Sequence, residues 1–184
     1  MDAIMLALVA VALANVDGHA GLQLSKLLSE RGDRRAIVVA AFGAFLIHAL
    51  VAAAAGAYAN RVMGQGVLLL LVALALLAAA GALLWQREAE GEPVGAGFRS
   101  VAVHLLAGQF GNRSHFLIGA LAATSGAGLW AAAGGLVGWT LAMIPFLAFG
   151  PPVALGRPAR LVRWSAAAIL ILWGLRAAMR AFGL

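Results

Sequence analysis

The sequence predicts an all-α membrane protein of six transmembrane helices, arranged as two inverted three-helix repeats. Three observations carry this. Of 184 residues, 64% are hydrophobic and 11% charged, with a mean hydropathy of +0.97, far from the balance of a soluble domain. Several apolar runs reach the roughly 20 residues that a helix needs to cross a hydrocarbon core of about 30 Å, with little of the period-2 alternation of a barrel. Two polar clusters, NVDGHAG at 15–21 and QFGNRSH at 109–115, recur at an offset of 94 residues.

The first helix is expected from about Ile4 to Leu28, interrupted near its middle by NVDGHAG and followed by the charged turn SERGDRRA. Ala12-Leu13-Ala14 has the small residues of a signal-peptide cleavage site, but the short segment before it carries Asp2 in place of a basic region. That favours a retained helix. The second helix spans about Ala36 to Ala59, with a turn at Asn60 and Arg61, and the third runs from Val67 to Trp85, rich in Leu and Ala. The hydrophilic stretch QREAEGEPVG then divides the chain into a first repeat over 1–86, an acidic loop over 87–97 and a second repeat over 98–184. In the second repeat the helices are Val101 to Gly126, Leu129 to Gly150 with a kink expected at Pro145, and Leu161 to the end. Pro151-Pro152 and Gly156-Arg157-Pro158 separate the last two, because proline stops a helix and fixes a turn.

Three spans per half force the halves into opposite orientations, with a pseudo-two-fold axis in the membrane plane and the site between the halves. The same offset places Gly56 on Gly150. Lys26, Arg31, Arg34, Arg35, Arg87, Arg99, Arg157, Arg160 and Arg163 collect on one side, against Arg61, Arg176 and Arg180 on the other. The first side is expected to be cytoplasmic and both termini to face away from it, as in a bacterial inner-membrane protein. The net charge of +6 therefore reports topology and lipid contact, not a nucleic-acid partner. Besides the lipid bilayer, the chain is compatible with a homo-oligomer or a membrane-protein partner. It has no cysteine, hence no disulfide or thiolate metal site.

Asp17 and Arg113 lie well inside apolar spans, where each charge costs about 2.5 to 3.5 kcal/mol at a helix centre. Pairing them across the two repeats offsets part of that cost. Around them Asn15, His19, Gln109, Asn112, Ser114 and His115 complete a set of candidate ion- or solute-binding residues. Gly18, Gly21 and Gly111 permit close helix approach or local unwinding. Asp17, Gln109 and Asn112 are the candidate metal ligands, and Asp17 is the one fixed negative charge among them. His48 is read as a packed or hydrogen-bonding histidine. No nucleophile-base pair, metalloprotease helix motif or phosphate-binding loop is present, so neither an enzyme nor a bound cofactor is expected.

The pattern resembles the Gdt-one type family of six-helix membrane manganese and calcium exchangers, across nearly the whole chain. Each repeat of that family carries Glu-apolar-Gly-Asp-(Lys/Arg)-(Thr/Ser), commonly followed by Gln. Gln109-Phe110-Gly111-Asn112-Arg113-Ser114-His115 is similar in order, with Gln for Glu, Asn for Asp and His for the trailing Gln. In the first copy Asn15 falls on the Glu, Val16 on the apolar position, Asp17 on the Gly, Gly18 on the Asp and His19 on the basic residue, while Ala20 and Gly21 replace the hydroxyl and the amide. The resemblance implies a cation/proton exchanger with a midplane site between the first and fourth helices, transporting Mn2+ or Ca2+. In this chain the Glu and Asp positions are all neutral, so the cluster sums to no net charge where a divalent ion demands fixed anions. An aspartate displaced by one residue on a helix also points roughly 100° away from its former direction. The alternatives are a transport-inactive relative acting as a membrane interaction or regulatory subunit, and an exporter of another small solute.

Overall fold

The computed structural model describes residues 3–30, 33–85, 98–109, 112–150, 153 and 157–184. The elements among them are helices: α1 (Ala3–Ala14), α2 (His19–Glu30), α3 (Arg34–Val62), α4 (Gln65–Leu84), α5 (Phe98–Gln109), α6 (Arg113–Ser125), α7 (Gly128–Phe149) and α8 (Arg157–Ala181). Among the described residues, α3, α4, α7 and α8 are each long and apolar enough to cross a membrane. Taken together, α1 and α2, bent by 69° at their break, are apolar enough for a fifth, broken span or a re-entrant loop. Helices of this length and hydropathy mark a membrane protein.

The expected boundaries shift where side chains intervene. The expected fourth helix is not continuous: α5 ends at Gln109 and α6 starts at Arg113, where the Asn112 side chain accepts from the Ser114 N–H and caps the new helix. Asn60 and Arg61 do not form a turn but belong to α3. Asn60 donates its amide to the Ala123 carbonyl near the end of α6, and Met63 closes the helix on Ala59. At the other end of α3, Asp33 accepts from the Ala36 N–H at 3.2 Å and fixes its start. The expected equivalence of Gly56 and Gly150 also divides. Gly56 lies mid-helix against the Gly119 carbonyl, whereas Gly150 ends α7 with φ +71°. The acidic loop 87–97 and Pro151-Pro152 lie outside the described residues.

Both faces of α1, α4 and α7 are apolar, so small residues decide which faces meet. Gly134 of α7 lies against the Ile4 carbonyl of α1, and Gly138 against that of Leu8, so the two helices run parallel in close contact. Ala7, Ala10, Val11 and Ala14 of α1 are fully buried there. α6 runs parallel to α3: Gly119 meets Ala52, and Gly126 meets Asn60 one turn or more further along both helices. α3 and α7 are antiparallel, with Phe42 and Phe45 packed on Trp139 and Ala53 beside Gly128. α4 and α8 are antiparallel as well, since Gly66 approaches Ala181 and Gly174 approaches Leu77. These directions put Arg34, Arg35, Arg157 and Arg160 at one end of the bundle and Arg61, Arg176 and Arg180 at the other.

Candidate functional site

The site is built where α1 stops. Asn15 and Val16 close tight turns on Ala12 and Leu13, and Gly18 takes φ +73°, a left-handed conformation that ends the helical path. α2 then restarts at His19, whose backbone N–H is accepted by Asp17 Oδ1 at 3.3 Å. The Asp17 carboxylate therefore sits on the positive end of a helix. Since Asp17 lies in this turn and not on a helix, the expected 100° rotation of its direction does not apply.

Two contacts join this break to the second one. The Arg113 guanidinium, on the first residue of α6, pairs with Asp17 Oδ2, and the pair is 16% and 13% exposed for Arg113 and Asp17 respectively. Among the described residues it is the only ion pair. Beneath it Asn15 donates one amide hydrogen to the Val11 carbonyl at 2.7 Å and the other to Ser114 Oγ at 2.8 Å. Asn15 is 2% exposed and Ser114 fully buried, so this bond has no water to replace it. Ser114→Ala is expected to lower stability by about 1 to 2 kcal/mol, because it leaves a buried amide hydrogen unpaired. Unfolding titrations in detergent measure it, and the double variant Asn15→Val/Ser114→Ala should cost less than the two single changes added.

His115, one residue on, is buried against an aromatic wall. Its ring centroid lies 4.8 Å from Phe45 and 5.1 Å from His48, and Phe45 stacks on Trp139 at 4.6 Å. His48 Nδ1 also contacts the Ala44 carbonyl at 2.9 Å. His48 is packed, as expected; its contact with His115 was missed, and the signal for it is the three-residue spacing of Phe45 and His48, which puts both on one helix face. Phe146 was also missed. Its ring fills the space at Gly18 and Gly21, where any Cβ would overlap it, and its carbonyl accepts from Ser25 Oγ at 3.0 Å. The glycines are thus the floor on which α7 meets the break.

No family model, curated protein or solved structure matches the chain.

The candidate residues divide accordingly. Asn15, Asp17, Arg113 and Ser114 form the joint itself, Asn112 caps α6 beside it, and His115 lies on the adjacent ring cluster. His19 contributes its backbone N–H to Asp17. Gln109 is the last residue of α5, its side chain lying outside what is described, as does Gly111. Of the candidate metal set, Asp17 and Asn112 are described and the Gln109 side chain is not; among the described residues no three or more His, Asp or Glu side chains are grouped to hold an ion. Asn112 spends its oxygen on the Ser114 N–H, and Asp17 spends its charge on Arg113.

Proposed function

We propose that this chain is an integral membrane transport protein whose site lies where two interrupted helices meet. The observation that carries the reading is the Asp17–Arg113 pair, which ties the break after α1 to the break before α6. Interrupted helices near mid-bilayer leave backbone groups and helix ends free to receive a solute, and they are the usual site of secondary transporters. The six-span inverted-repeat architecture is part of the same proposal. It is supported at the level of whole spans, where the first span runs parallel to α7 through α1 and the fourth runs parallel to α3 through α6, and by α4 and α8 pairing with each other. The excess of basic residues at one end supports a cytoplasmic orientation for that end, in a bacterial inner membrane, with both termini opposite. Exposed Trp85 and Trp164 toward that end, and Tyr58 and Trp130 toward the other, fit the two head-group regions.

The charge balance sets the cargo class within this reading. Asp17 faces the N-terminus of α2 and the guanidinium that opens α6, so positive potential surrounds the one carboxylate. Such a site suits a small solute bearing a carboxylate or another anionic group, able to compete with Asp17 for Arg113. Manganese or calcium exchange of the Gdt-one type needs anionic ligands that these residues do not supply. The Asp17–Arg113 bridge then serves as the contact that one half must release as it rocks against the other.

A second reading is favoured by the closure of the joint: the buried Asn15–Ser114 bond and the matched charges also suit a transport-inactive subunit. Proteoliposome flux separates the two. Uptake or efflux of small carboxylated solutes that falls at least tenfold in a folded Asp17→Asn variant supports transport at this site. Flux of manganese or calcium under a pH gradient would restore the cation-exchange reading. No flux of any of these, with a protein partner co-purifying from native membranes, would support the inactive subunit.

A further inference from the structure

We infer that a groove at the end of the bundle opposite the basic surface binds one anionic phospholipid. The groove has a volume of about 440 Å³ and lies between α1, α4, α6 and α8, within the roughly 300 to 1,000 Å³ of ordinary ligand sites. Its floor is apolar and buried, formed by Val72, Leu121 and Ala177. Its rim is open to the surroundings of the bundle at Leu6 and Leu172, which are 42% and 69% exposed. Arg176 and Arg180 line the same groove, one helical turn apart on α8.

The lining is graded along the membrane normal. Arg180 stands in the last turn of α8, Arg176 one turn deeper, and Leu172 about 12 Å below Arg180 at 1.5 Å per residue. Leu69 and Val72 descend α4 beside them in the same sense, because α4 starts where α8 ends. Cationic side chains at the shallow end and hydrocarbon at the deep end match an amphiphile with its phosphate toward water and an acyl chain against α4. Both arginines are exposed and neither has an acidic partner among the described residues, so both guanidinium groups are free to take a phosphodiester in the groove they line. A lipid of the surrounding bilayer is the occupant because the groove opens sideways through Leu6 and Leu172, onto acyl chains and not onto water.

Purified protein in neutral detergent, titrated with phosphatidylglycerol or with phosphatidylcholine of identical acyl chains, tests this by native mass spectrometry. Phosphatidylglycerol is expected to bind on the order of tenfold more tightly, and Arg176→Gln/Arg180→Gln should abolish the difference. Arg157→Gln/Arg160→Gln, which removes two exposed arginines at the opposite end of α8, should retain it. Thermal melts of both variants check that each is folded. Equal binding of the two lipids overturns the proposal, as does a preference that survives loss of Arg176 and Arg180 or falls equally in both variants. Displacement of the lipid by glycerol phosphate would assign the arginines to a soluble anion and overturn it likewise.

Discussion

Gly134→Ala/Gly138→Ala is expected to be the most damaging small change in the protein, lowering stability by several kcal/mol. A Cβ at Gly134 would overlap the Ile4 carbonyl, and one at Gly138 the Leu8 carbonyl. Backbone cannot swing aside as a side-chain tip can, so α1 must separate from α7, and overpacking of this kind costs typically 1 to 3 kcal/mol per site. Separation also exposes the fully buried Ala7, Ala10, Val11 and Ala14 and pulls on the break that follows them. Gly43 and Gly81 supply the control, since a Cβ at either meets nothing within 4 Å. Alanine at those positions should be neutral or stabilise by up to about 1 kcal/mol through helix propensity. Denaturant titration in a fixed detergent measures all four positions; equal effects at the two pairs would remove the close approach as an explanation.

Arg113→Ala or Asp17→Ala alone is expected to cost about 3 kcal/mol, and the double variant Asp17→Ala/Arg113→Ala substantially less than the sum. Either single change leaves a mostly buried charge without its counter-ion, the costly case for an ion pair. The two are not equivalent. Asp17 also accepts from the His19 N–H, so its loss removes the cap of α2 as well, worth about 1 kcal/mol. Exchanging the pair, Asp17→Arg/Arg113→Asp, restores the attraction but not that cap. It should therefore fold better than either single reversal while remaining below the wild type. A double-mutant cycle read by thermal unfolding gives the coupling directly, and strictly additive effects would show that the two side chains do not act as a pair.

The residues of the joint were legible because burial in hydrocarbon makes charge conspicuous. An aspartate and an arginine inside apolar runs demand partners, and two motifs at one offset point them at each other. The break after Ala14 was legible for a related reason, since asparagine, aspartate and glycine within a few positions compete with the helix for backbone hydrogen bonds. The continuity of α3 through Asn60 and Arg61 was not. Those residues read as a turn by type, and what keeps them helical is a carbonyl at the end of α6, more than 60 residues away in sequence. The interruption before Arg113 was legible in part: Gly111 read as permitting local unwinding, while the Asn112 cap that opens α6 emerged only from the structure.

By itself the sequence determined that this is a bundle of apolar helices and where its costly polar residues fall, since both follow from hydropathy along the chain. Tertiary structure alone decided which faces meet. A helix in lipid is apolar all round, so periodicity names no inner side, and contact is settled by where small residues let backbones approach. That is how Gly134 and Gly138 set α1 on α7, how Phe146 comes to fill the space over Gly18 and Gly21, and how His48 comes to lie beside His115.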